Sequence, residues 1–288
     1  MISALFEYQF MQNAFIASIL ASIVCGIIGV IVVEKKLVMM SGGIAHTAYG
    51  GVGLGYLLGF EPIIGAFLFS VSAALGIGVI NRRGGVQSDI IIGLFWSLGM
   101  ALGIVFIAIM PGYPPDLNSY LFGNILSVTK VDLYLMIILS FLVVFIVITL
   151  FHDWKAYLFD EEFASIIGIK TVFLEYLLLV LVAMTVVVLI RVAGIILVLA
   201  LLTAPSAMAS IFSKRLKSRM IFAVIFGVFF CISGLWISYK LNIASGACIV
   251  ILSVVCYFFT YAIRIVHIKM KRKNIASKQI VGEEESEV

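Results

Sequence analysis

The chain has 288 residues, of which 63% are apolar and only 12% charged, with a formal net charge of +4 and a mean hydropathy of +1.22. Soluble domains carry about twice that share of charge, so the composition excludes a water-soluble enzyme and predicts an all-α, polytopic membrane protein. The four cysteines, Cys25, Cys231, Cys248 and Cys256, lie in apolar segments without CxxC spacing and read as packing residues rather than ligands.

Apolar runs of about 17 to 25 residues are long enough to cross a bilayer. Nine such spans are expected, near 13–33, 37–59, 62–80, 89–110, 131–151, 172–190, 193–211, 220–239 and 245–266. The opening "MISALFEYQFMQNAF" lacks the basic start of a cleaved signal, so the first span is expected to remain as an anchor.

The second span, "MMSGGIAHTAYGGVGLGYLLGF", holds His46 among seven glycines. His46 lies about nine residues in, roughly 13 Å from the span's start, and ionisable groups at that depth face a bundle interior or a polar path. Three roles stay open: a neutral imidazole bonded between helices, a transient metal contact, or a gate. Gly42, Gly43, Tyr49 and Gly50 lie one turn away, and Gly42 and Gly50 are expected to leave space beside the ring. Gly43, Thr47, Gly51, Gly55 and Gly59 form an i, i+4 row, expected to be one helix-packing seam.

The outer connection "MPGYPPDLNSYLFGNILSV" (110–128) holds three of the five prolines and allows a short surface helix. It could meet an external partner or simply cover the bundle. On the opposite side, "FHDWKAYLFDEEFASIIGIK" (151–170) predicts a short helix near 160–168: Asp160 as cap, Glu161 and Glu162 in the first turn, Gly168 as stop. Its apolar stripe, Phe163, Ile166 and Ile167, must bury on the bilayer, under the bundle or against a cytoplasmic partner; the acidic start favours a partner. In "GIILVLALLTAPSAMASIF", Pro205 interrupts an apolar run, giving either an ordinary kink or a break lining a path, with Thr203 and Ser206 near the freed backbone groups.

Alternate connections carry sixteen of the nineteen lysines and arginines, against Lys130, Arg191 and Lys240 on the other side. By the positive-inside rule the N-terminus is outside and the C-terminus cytoplasmic. The basic excess is therefore topology and implies no nucleic acid. Residues 1–266 are expected to form one transmembrane domain and 267–288 a disordered cytoplasmic tail. No phosphate loop G-x-x-x-x-G-K-[ST], no H-E-x-x-H and no complete G-x-G-x-x-G is present, so the chain is not expected to bind ATP or catalyse by those devices. A transport or channel role remains.

The segments "SGGIAHTAYGGVGLGYLLG", "LFGNIL", "FDEEFASIIGI", "LLTAPSAMA" and "SGLWISYKLNIASGACIVIL" occur in the order seen in permeases of the zinc, manganese and iron ABC importers, which this chain resembles from about 30 to 260. The resemblance implies several things. Two permease copies would pair in the cell membrane, ATPase subunits that bind ATP would dock at a coupling helix formed by Asp160, Glu161, Glu162, Phe163, Ala164 and Gly168, and an extracytoplasmic metal-binding protein would deliver a divalent ion. No cofactor would be held by this chain, only its cargo. The translocation pathway would run by His46, as a transient metal contact, with Gly42, Tyr49, Gly50, Thr203 and Pro205. Many members carry an aspartate four residues before the histidine, and a proline where Gly51 stands; here the first position is Gly42, so the usual carboxylate and imidazole pair is incomplete. Two alternatives are a permease for iron chelates or cobalamin, and a self-sufficient secondary metal transporter, which would need coupling groups and repeats that are not evident.

Overall fold

The computed structural model describes residues 8–83, 88–112, 118–123 and 125–286. Within them the chain forms α1 (Gln9–Glu34), α2 (Val38–Leu58), α3 (Pro62–Arg83), α4 (Ser88–Ala108), α5 (Asn118–Phe122), one 3-10 turn (Ile125–Ser127), α6 (Lys130–Thr149), α7 (Phe151–Phe159), α8 (Glu161–Ile166), α9 (Thr171–Phe212), α10 (Leu216–Leu241) and α11 (Ser245–Ser286). Pro114 and Pro115 of the outer connection lie outside the described residues.

Seven of these helices are long and apolar enough to cross a membrane. Two differences from the nine expected spans have physical causes. The spans 172–190 and 193–211 join in α9, 42 residues long, with one non-helical residue, Gly194, at φ 73° and ψ 160°. At 1.5 Å per residue α9 would be about 63 Å long if straight, twice a hydrocarbon core. It is instead a hairpin: the first arm runs from Glu175, bonded to Arg82 at one end of the bundle, to Arg191, bonded to Glu61 at the other, and the second arm returns so that Leu202 and Ser206 lie against Gly29 near the Lys35 end of α1. The second difference is α2, whose glycines, serine and histidine keep it out of the seven apolar helices although it is 21 residues long and largely buried.

The turn at Gly194 explains the "LFGNIL" segment. Gly123, also at positive φ (65°), lies against the Ala193–Gly194 peptide, and a Cβ on either glycine would overlap the other strand of backbone. Gly246 comes equally close to the Phe122 carbonyl. The short α5 thus covers the bundle end, and positive φ leaves glycine as the residue of least strain there.

Helix ends follow local chemistry. Thr129 and Asp132 form a capping box at α6. Gly59 and Asn242 close α2 and α10 in the left-handed region. The last helix, α11, runs past the end of the final expected span at 266 to Ser286. Its lysines, glutamates, alanine and glutamine are good helix formers, and proline is absent from it.

The core is largely apolar, centred on α9 and α1 with α2 wrapped by α3 and α4, and it also buries serines, threonines, Asp132 and Glu175. Cys25 and Cys231 are buried free thiols, as the packing reading expects, with Ser22 Oγ 3.7 Å from Cys231 Sγ. No group of three or more metal-ligating side chains occurs among the described residues.

Candidate functional site

The glycines of α2 set how close its neighbours come. A Cβ on Gly51 would overlap the Gly65 carbonyl oxygen of α3, and one on Gly55 would sit 2.7 Å from Pro62 Cα. On the α4 side, Gly43 meets Ile92, Gly50 meets the Gly99 carbonyl and the Phe69 ring, and Gly53 meets Gly103. The expected single seam is therefore divided: Gly51 and Gly55 pack on α3, Gly43 packs on α4, and Gly59 faces open space as a left-handed cap. Gly99 and Gly103, four residues apart, complete a small-residue crossing, and the Thr47 hydroxyl bridges it, 2.7 Å from the Gly43 carbonyl and 3.0 Å from the Phe95 carbonyl.

His46 lies on the α4 side of this crossing, half-buried. Its ring stacks on the Trp96 indole, with centroids 3.9 Å apart and planes 11° from parallel. Its Nδ1 is buried without a hydrogen-bond partner among the described residues. The space expected beside the imidazole is thus partly filled. Trp96 covers Gly42, where a Cβ would be 3.3 Å from the indole, and Gly50 is closed by Gly99 and Phe69. Tyr49 is buried against Gly103. An imidazole with one unbonded nitrogen can accept a proton or a soft to borderline cation. No carboxylate accompanies it at the position of Gly42.

Thr203 and Pro205 do not join this group. Pro205 is buried in α9 where that helix meets α1: Gly29 of α1 lies against the Leu202 carbonyl and Ser206 Oγ. The Thr203 hydroxyl bonds back to the Leu199 carbonyl at 2.8 Å. Helix packing therefore covers the backbone groups near the proline, as an ordinary kink requires.

The other candidate group lies at the bundle end that carries Lys35, Arg82 and Glu175. Asp160 accepts from the Phe163 N–H at 3.0 Å and starts α8, and Gly168 ends it at φ 91°. Glu161 is not free for a partner: it bonds Lys35 at 2.7 Å and lies 3.7 Å from Arg82, which also bonds Glu175. Lys35 in turn sits 3.7 Å above the buried Tyr157 ring, whose phenol is pushed upward by burial and then by Glu161 and Glu175. These contacts brace α8 against α1, α3 and α9. Ala164 faces inward, whereas Phe163, Ile166 and Ile167 are 55%, 82% and 54% exposed, with Phe159 at 89%. The apolar stripe is therefore not buried under its own bundle. Glu162 is exposed beside it.

Sequence reasoning missed Trp96, Gly65, Gly99 and Gly103 because it treated α2 alone. The spacing Gly99 to Gly103, with Trp96 one turn earlier on the same face, was a legible signal. The partners of Glu161 are 79 to 126 positions away and only the fold brings them near.

A glycine-sealed helical bundle with one unpartnered imidazole and an exposed, braced apolar helix defines a multi-pass membrane protein of the transport type. Over residues 7–264 the chain matches the model of the ABC 3 transport family, and it belongs to that family. It is 41% identical over 264 residues to the membrane protein slr2045 of Synechocystis, covering 92% of this chain and 94% of that one. It is 34% identical to the manganese transport system membrane protein MntC of Listeria monocytogenes, covering 90% and 92%. Its fold matches PsaBC from Streptococcus pneumoniae, solved in complex with a Fab, at a TM-score of 0.82 and 32% identity, covering 90% of this chain and 94% of that one. It is thus a permease subunit of an ABC transporter for metal ions.

Proposed function

We propose that this chain is the membrane subunit of an importer for a divalent transition-metal ion, manganese first among zinc, manganese and iron. The likeness to manganese permeases supports that order. Nine passes follow if α9 counts twice at Gly194 and α2 is added to the seven apolar helices, with the N-terminus outside and the C-terminus cytoplasmic as the charge bias requires. A second copy pairs in the membrane, an extracytoplasmic metal-binding protein delivers the ion, and His46 contacts it in passing, beside Trp96. Among the described residues no group of three or more metal-ligating side chains occurs, so the ion is held weakly and released readily.

The exposed apolar face of α8 is the observation that carries this reading. A short helix braced by ion pairs, with Phe163 and Ile166 and the flanking Phe159 and Ile167 turned outward, suits a cytoplasmic ATPase groove. ATP closure of two such ATPases would move α8 and, through Glu161, the ends of α1 and α3, switching access to the path. Phe163→Asp is expected to abolish co-purification with the ATPase in mild detergent while leaving the melting temperature of the permease near wild type. Full retention of the ATPase by that variant would place the docking face elsewhere, whereas wild-type protein that brings down no ATPase would support the alternative of a self-sufficient secondary transporter.

A further inference from the structure

Two cavities away from His46 share a wall. One is an apolar groove of about 820 Å³ on the flank of the bundle, where α6 and α10 both pack on α1. Ile23, Val144, Val147, Ile148, Ile221 and Ile225 line it. The other, of about 750 Å³, lies at the bundle end and is lined by Lys155, Lys214, Arg215 and Lys217. Phe151, His152 and Lys217 line both, so the groove opens directly into the basic cavity.

The charges in the basic cavity are unbalanced. Glu34 is the one carboxylate in its wall, and Arg219 already pairs with it. Among the described residues none of Lys155, Lys214, Arg215 or Lys217 makes an ion pair. Four cations in one concavity repel one another and attract an anion. The groove gives the depth. From Lys217 to Ile225 is eight residues of α10, about 12 Å, close to the hydrocarbon thickness of one leaflet. A soluble protein could neutralise the cations but could not fill an apolar slot at that depth. An acyl chain joined to an anionic headgroup does both.

We propose that this groove and the basic cavity together form a binding site for one anionic phospholipid of the cytoplasmic leaflet, its acyl chain against α1, α6 and α10 and its phosphate among Lys155, Lys214, Arg215 and Lys217. The proposal rests on the membrane orientation given above but not on the transported metal. The site also adjoins α8, since Phe159 and Phe163 line the same basic cavity. A bound headgroup there sits at the edge of the ATPase docking face and links lipid composition to coupling.

The test uses full-length protein relipidated with equal palmitoyl-oleoyl phosphatidylglycerol and phosphatidylcholine, followed by mass-spectrometric counting of retained lipid after mild delipidation. Wild type should retain phosphatidylglycerol over phosphatidylcholine by at least about tenfold, and the triple variant Lys155→Gln, Lys214→Gln, Lys217→Gln should lose that preference, as each basic group near a membrane surface attracts anionic lipid. Ile225→Trp, which fills the groove and keeps every cation, should reduce retained phosphatidylglycerol. No lipid preference in wild type would overturn the proposal, as would unchanged retention in either variant. Loss of the ATPase with unchanged lipid in the triple variant would assign the cations to the protein interface instead.

Discussion

His46 is the residue on which the proposed substrate contact turns. Its stacking on Trp96 orients the imidazole plane, and the buried, unbonded Nδ1 keeps one lone pair or one proton available. With Gly42 at the position four residues earlier, the contact is a single imidazole, and a single neutral donor binds a divalent ion weakly. His46→Ala is expected to lower manganese uptake about tenfold, the effect of one lost contact worth about 1.4 kcal/mol, with ATPase assembly intact. Wild-type uptake of manganese, zinc and iron by the variant would remove His46 from the pathway. The histidine's depth was legible in the sequence from its place within an apolar run. Its neighbour was not, because a stacked pair 50 residues apart depends on the crossing of two helices.

At the scale of the element, α2 is held by backbone approach rather than by side-chain bulk. A helix with six glycines between Val38 and Leu58 gives up intrinsic stability, since each interior glycine costs about 1 kcal/mol relative to alanine. Contact with Gly65, Gly99 and Gly103 on two neighbours offsets that cost. Gly51→Leu is expected to destabilise the protein by at least about 2 kcal/mol through overpacking, read as a lower melting temperature or poor recovery in detergent. Gly93→Ala, where a Cβ meets open space, should melt like wild type. Equal behaviour of the two variants would contradict the close-packed crossing. The small-residue period announced such a crossing in advance, but not that Gly43 and Gly51 would serve different partners. The same holds for α8: its cap, its stop and its apolar stripe were written locally, whereas the brace through Lys35 and Arg82 is a product of the tertiary fold.

For the whole molecule, the hairpin of α9 at Gly194 ties the two ends of the bundle together. One arm reaches Arg82 and Glu161 beside α8, and the turn meets α5 and the Glu61, Arg191 and Asp132 group at the far end. These contacts join the end of the bundle that carries α8 to the far end. Composition and basic bias were enough to read a multi-pass helical protein. The break within α9 was legible as a boundary beside Arg191 between two expected spans, but its form was not: two arms joined at the single residue Gly194 without a polar loop. The most direct test of an ATP-driven metal permease is manganese-54 uptake into proteoliposomes holding this chain with its ATPase, supplied with the loaded metal-binding protein outside and ATP within. Uptake that requires all three components, and falls to background with a hydrolysis-dead ATPase, is the expected result. Uptake that proceeds equally without ATP would contradict it.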